Sequence, residues 1–177
     1  MTLAYNYIME YLPTRYEATA KQEHERRLVY AFKKGNYDHS VKEKFADAVK
    51  EIVGNDKNNW VVLFIPASSE YKTIQRFASL ASFIERETGV KATIDGIVAR
   101  EETESQCLTG TRFDKTSFYN FDSSIYRGKN VILIDDVITS GRSFKSCAIK
   151  LKNSGANDVR GLFLAKTINP DWIHSVA

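Results

Sequence analysis

Two uninterrupted apolar runs, Trp60-Val61-Val62-Leu63-Phe64-Ile65 and Val131-Ile132-Leu133-Ile134, constrain this chain more than any other feature. A strand with one wet face alternates apolar and polar side chains, so a run without polar positions has to be covered on both faces. Between and after these runs the spacing turns helical. Residues 71–88 set Phe77, Leu80, Ala81 and Ile84 on one stripe and stop at Gly89, the residue type that ends helices in a left-handed turn. A weaker strand is expected at residues 92–98 and a clear one at 130–134. Residues 143–153 read as a helix with Phe144, Cys147, Ala148 and Leu151 on one side and Gly155 as its stop, and residues 159–165 as a further apolar strand.

Ahead of this alternation, Ser40 and Glu43 have capping-box spacing for a helix carrying Val41, Phe45, Ala48, Val49 and Ile52, closed by Gly54. An earlier helix is expected at residues 21–32. Helices that cross over between buried strands imply an α/β fold, a mostly parallel sheet flanked by helices. The expected organisation is a single domain over residues 1–177, with an N-terminal helical region at 1–58 and the α/β core at 59–177. In such sheets, ligands bind beyond the carboxyl ends of the strands.

Composition narrows the chemistry. The two cysteines, Cys107 and Cys147, have no CxxC partner, and His24, His39 and His174 fall into no ligand spacing. A zinc site or a disulfide framework is therefore not expected, and a reducing, cytoplasmic location is. No apolar stretch approaches the roughly 20 residues of a membrane span, and residues 1–9 lack a signal-peptide pattern. The formal charge of +3 is too small to argue for nucleic acid.

The chemistry gathers in Val131-Ile132-Leu133-Ile134-Asp135-Asp136-Val137-Ile138-Thr139-Ser140-Gly141-Arg142-Ser143. Adjacent carboxylates at the end of a buried strand can accept hydrogen bonds from neighbouring sugar hydroxyls, or meet a hard cation through water. The segment from Thr139 to Ser143 offers backbone amides, hydroxyls and the positive end of the next helix, which together suit a phosphate dianion. Taken singly, the acids could merely end a strand and Ser143 could be an ordinary cap; the agreement of so many choices favours a site. An apolar strand ending in Asp-Asp also fits a nucleotide hydrolase, but neither G-x-x-x-x-G-K-[ST] nor G-x-G-x-x-G occurs in the chain.

This segment resembles the signature with which type I phosphoribosyltransferases bind phosphoribosyl pyrophosphate. The resemblance implies that Asp135 and Asp136 hold the ribose hydroxyls, and that Val137, Ile138, Thr139, Ser140, Gly141, Arg142 and Ser143 form the ribose and 5-phosphate loop. Ser143 stands where the family often has Thr. Phe64-Ile65-Pro66-Ala67-Ser68-Ser69-Glu70 follows the first buried strand, where the family places its pyrophosphate loop. That position assigns Ala67, Ser68 and Ser69 to the pyrophosphate, with Lys72 and Arg76 near enough to add charge.

The irregular stretch between residues 100 and 126 corresponds to the family's flexible flap. There Arg100, Thr103, Gln106, Leu108 and Arg112 resemble one branch, the ComF-like proteins, although the four-cysteine zinc module of that branch is missing. The N-terminal region at 1–58 would then supply helices and a hood. Trp172 stands where some members keep a base-stacking aromatic, and Tyr5, Tyr7, Tyr11 and Tyr16 either join the hood or pack the N-terminal helices.

The activity implied is transfer of a 5-phosphoribosyl group from phosphoribosyl pyrophosphate to a nitrogen nucleophile, a nucleobase in particular, with release of pyrophosphate. Asp135 and Asp136 are the catalytic candidates and would meet Mg2+ through water or the ribose hydroxyls. The partners implied are the donor, a base or amine acceptor, and a second copy of the chain. The alternative is a non-catalytic, ComF-like donor-binding regulator of DNA uptake with a nucleic-acid or protein partner.

Overall fold

The computed structural model describes residues 3–100 and 115–170. In chain order the elements are β1 (Tyr5–Tyr11), α1 (Ala20–Lys33), α2 (His39–Val53), β2 (Trp60–Phe64), α3 (Glu70–Thr88), β3 (Lys91–Ala92), β4 (Ile97–Ala99), β5 (Tyr119–Phe121), α4 (Ser123–Tyr126), β6 (Asn130–Ile138), α5 (Arg142–Asn153) and β7 (Asp158–Thr167). A five-stranded sheet runs in the order β1-β7-β6-β2-β3, and every neighbouring pair in it is parallel. Strands β4 and β5 form a separate antiparallel pair.

The unbroken apolar runs have their expected cause. On β2 and β6, Val62, Phe64, Ile132 and Ile134 join the core beneath α1, α2 and α3, while Val61, Leu63, Val131 and Leu133 join the core beneath α5. Both faces of the central strands are covered, and the parallel pairing brings the carboxyl ends of β1, β7, β6 and β2 to one edge of the sheet.

Several elements depart from the sequence expectations. The strand expected at residues 92–98 divides, with β3 in the main sheet and β4 paired to β5. The reason is a turn, in which the Thr93 hydroxyl accepts from the Asp95 amide at 3.1 Å and lifts the chain off the sheet. The N-cap of α2 is Asp38, whose carboxylate accepts from the Val41 amide and from the Ser40 hydroxyl, so Ser40 serves the cap without being it. Strand β6 continues through both acids to Ile138. Residues 5–11, inside the span expected to be helical, form β1 and extend the sheet beyond β7. No helix among the described residues is long and apolar enough to cross a membrane.

Candidate functional site

The length of β6 places the acids. Strand β2 ends at Phe64, and the Ile65 amide makes the last bond across to the Ile134 carbonyl, 2.9 Å. The amides that follow on β6 are taken by the acids, Asp136 N donating to Asp135 Oδ1 at 2.8 Å and Val137 N to Asp136 Oδ1 at 2.6 Å. Each carboxylate thus satisfies the amide behind it, which lets β6 project beyond β2 without an orphan donor.

The two acids differ in their remaining partners. Asp136 Oδ2 accepts from Arg76 Nη1 at 2.8 Å and lies 3.9 Å from Lys33 Nζ, and the side chains of Asp136 and Arg76 are each 13% exposed. Asp135 has no cationic partner among the described residues. Its Oδ2 makes no hydrogen bond there, and since no buried side-chain oxygen is left unpartnered, that atom reaches solvent. Burial pushes the Asp135 carboxyl up to about 8, and the adjacent Asp136 charge adds to the rise.

Beyond Ile138 the chain turns into α5 through Gly141, which adopts φ +70 and caps the helix without a side-chain bond. Thr139 is exposed and shares a hydrogen bond of 2.7 Å between its hydroxyl and that of Thr167 on β7. Arg142 and Ser143, the first helical residues, are exposed, and no ion pair engages Arg142 among the described residues. The first-turn amides of α5 have no helical acceptor, so this end carries positive potential. Val137 and Ile138 instead turn into the two cores. A cleft of about 170 Å³ opens beside residues 138–141, lined also by Tyr5, Phe144, Lys145 and Lys166. Lys166 Nζ lies 5.7 Å and 5.5 Å from the ring centroids of Tyr5 and Tyr7. Lys166 did not stand out as part of a site in sequence, and Tyr5 did so only as one of four tyrosines that either join the hood or pack the N-terminal helices. The signal was a charged residue ending the apolar run of β7, as Asp135 ends that of β6.

The loop between β2 and α3 presents fewer free groups than its small residues promise. The Ala67 amide donates to Thr73 Oγ1 at 3.0 Å, so it is engaged internally. Ser69 is the N-cap of α3, accepting from the Lys72 amide at 3.2 Å. Ser68 and Lys72 remain on the exposed side, Lys72 Nζ donating to Ser68 Oγ at 3.2 Å. Arg76 lies apart from them, on Asp136 and on the Lys33 carbonyl. Arg100 is exposed and donates to Asn120 Oδ1 at 2.7 Å. Thr103, Gln106, Leu108, Arg112 and Trp172 lie outside the described residues. Tyr16 reaches the end of the sheet, its hydroxyl 3.3 Å from Asn169 Oδ1, and Tyr11 closes β1.

No curated protein matches the chain. Among solved structures, it is similar to adenine phosphoribosyltransferase from Saccharomyces cerevisiae at 22% identity and a TM-score of 0.44, over 73% of this chain and 70% of that one. It is similar to a hypoxanthine-guanine phosphoribosyltransferase from Bacillus anthracis at 19% identity and a TM-score of 0.45, over 80% of this chain and 67% of that one. A third, an allosteric regulatory enzyme of purine biosynthesis, is 16% identical with a TM-score of 0.46, over 71% of this chain; the chain spans 25% of that enzyme's length. The family model of the phosphoribosyl transferase domain matches residues 35–167, from the α1–α2 turn to the end of β7. On that match the chain belongs to the phosphoribosyl transferase domain family, whose reaction class is the transfer of a phosphoribosyl group.

Proposed function

We propose that this enzyme, one domain over residues 1–177 acting in the cytoplasm, transfers the 5-phosphoribosyl group of phosphoribosyl pyrophosphate to a nitrogen nucleophile, with a nucleobase as the preferred acceptor. The observation that carries the reading is the carboxyl end of β6. Asp135 presents there a carboxyl oxygen that makes no hydrogen bond among the described residues, and residues 139–143 follow it with exposed hydroxyls, an exposed arginine in no ion pair among the described residues, and the first amides of α5. A sugar diphosphate ester with a second phosphate needs these groups in this order: an acceptor for ribose hydroxyls, then a cradle for the 5-phosphate.

In this reading Asp135 and Asp136 lie at the level of the ribose, and Thr139, Ser140, Gly141, Arg142 and Ser143 surround the 5-phosphate. Ser68 and Lys72, at the start of α3, face the pyrophosphate. As the bond from the anomeric carbon to the pyrophosphate oxygen breaks, positive charge grows on that carbon. The acceptor nitrogen then bonds to it and gives up its proton to solvent. The chain's tasks are to fix the ribose, counter the leaving group's charge and keep water out.

A hard divalent cation fits this oxygen-rich edge, and Asp135 is the residue that would hold Mg2+, through water or the ribose hydroxyls. When bound, the ion supplies charge neutralisation at the leaving pyrophosphate.

Two measurements test the reading: titration calorimetry of the donor with MgCl2, and pyrophosphate release against a panel of purine, pyrimidine and pyridine bases. Micromolar donor binding and turnover with at least one base are expected. Absence of donor binding would overturn the assignment, and donor binding without turnover on any base would overturn catalysis.

A further inference from the structure

The paired acids at the end of β6 are not equivalent, and the difference reaches into the N-terminal helices. Asp136 Oδ1 is occupied by the Val137 amide, and Oδ2 by Arg76 with Lys33 close by. A carboxylate has about four acceptor sites. Three inward partners on a side chain that is 13% exposed leave Asp136 little to offer a ligand.

Arg76 is itself fixed from two sides. Its Nε donates to the Lys33 carbonyl at 3.3 Å, at the last turn of α1, and its own carbonyl accepts from the Tyr37 hydroxyl just before α2. The α1–α2 turn is seated on α3 one residue before it, since a Cβ built on Gly35 would lie 2.2 Å from the Gln75 carbonyl oxygen. The guanidinium is therefore held by the last turn of α1, and the Arg76 backbone by the α1–α2 turn, against the end of β6. An ion pair this far from solvent is lost at a steep penalty when one partner is removed, because the other charge stays behind.

We infer that Arg76, steadied by Lys33, is a positioning residue that withholds Asp136 from the ligand, so that a single acid side chain, Asp135, engages the donor's ribose. This inference rests on the donor site proposed above and divides its two acids into one that touches the ligand and one that aims it. The Asp136 amide ties the two together, donating to Asp135 Oδ1 and leaving Oδ2 as the open atom. Moving the Asp136 backbone would turn that atom away.

The test is donor binding by calorimetry with MgCl2 on the full chain, with melting temperature measured in parallel, for Asp135→Asn, Asp136→Asn, Arg76→Gln, Arg76→Lys and the double variant Arg76→Gln with Asp136→Asn. A tenfold or smaller loss of affinity is expected for Asp136→Asn and for Arg76→Gln, a loss of thirtyfold or more for Asp135→Asn, and at least partial recovery with Arg76→Lys. The double variant is expected to be no weaker than the worse single one, because the two residues are in contact and both changes break one device. Equal losses for the two Asp→Asn variants, additive losses in the double variant, or unchanged affinity in Arg76→Gln overturns the inference. A wild-type chain that fails to bind the donor overturns the proposed function instead. If Asp136→Asn does not fold, Arg76→Lys against Arg76→Gln decides: equal affinity in those two overturns the inference.

Discussion

Thr139 and Thr167 join hydroxyls at 2.7 Å across the carboxyl ends of β6 and β7, which makes this bond the anchor of the loop that follows β6. Residue 139 is the first after the strand, and the turn into α5 begins at Gly141. Replacing Thr167 by Val keeps the branched shape and deletes the partner. A net hydrogen bond is worth about 0.5–1.5 kcal/mol, so donor affinity is expected to fall roughly two- to tenfold. Because the bond is exposed, the melting temperature should barely move. Calorimetry and thermal unfolding on the same preparation check both halves, and a large drop in melting temperature would show that the bond supports the sheet rather than the loop.

Asp135 gives the folded chain a pH signature. Burial raises its carboxyl from an ordinary value near 3.8 to about 8, so between these values the native state keeps a proton that the unfolded chain has lost. Stability is then greatest below the unfolded value and declines as pH rises toward the folded one, by at most about 1.4 kcal/mol per pH unit. The carboxyls held low, those of Asp38, Asp122 and Asp158, act with the opposite sign and in the acid range, near and below 3.8. Urea unfolding from pH 5 to 7.5 should show the decline in the wild type and a flatter profile in Asp135→Asn. Parallel profiles would place the Asp135 carboxyl at an ordinary value.

Arg26 organises the loop at the far edge of the sheet. It is 5% exposed, its Nε donates to the Leu12 carbonyl at 2.8 Å, and its Nη2 donates to the carbonyls of Pro13 and Tyr16, both at 2.7 Å. Substituting Met preserves the stem and strips three acceptors of their donor at once. The expected loss is roughly 2–4 kcal/mol in urea unfolding. Arg26→Lys should recover only part of it, since an ammonium cannot match the planar fork.

The sheet and the loop were legible in the sequence because both rest on local patterns. The apolar runs of β2 and β6 mark central strands, and the residue types and order from Asp135 to Ser143 are what the proposed donor site rests on. What stayed hidden depends on contacts distant in sequence. Nothing around Arg76 distinguishes a pyrophosphate ligand from a partner of Asp136, because that choice is made by where α1 sets down Lys33. Ala67 looked like an open amide until Thr73, on the next helix, claimed it. The strand Tyr5–Tyr11 alternates weakly and gains its place only by pairing with β7, over 150 residues away in register, a separation that no local pattern reports.

Gly35 offers the last prediction, because there conformation and contact can be separated. Gly35 and Gly128 both adopt φ +73, so alanine at either position bears the same left-handed backbone penalty of about 1–2 kcal/mol. They differ in surroundings: a Cβ on Gly128 meets nothing within 4 Å, whereas one on Gly35 lies 2.2 Å from the Gln75 carbonyl oxygen, a backbone atom that can move only with α3. Gly128→Ala is therefore expected to lose about 1–2 kcal/mol in urea unfolding, and Gly35→Ala clearly more, by a further 1–3 kcal/mol for the forced overlap. Pushing α1 off α3 would also part the Lys33 carbonyl from Arg76 Nε, now 3.3 Å away. Gly35→Ala, where it folds, should then weaken donor binding as Arg76→Gln does, while Gly128→Ala leaves it unchanged. Equal stability losses in the two variants would mean that the turn yields without disturbing α3.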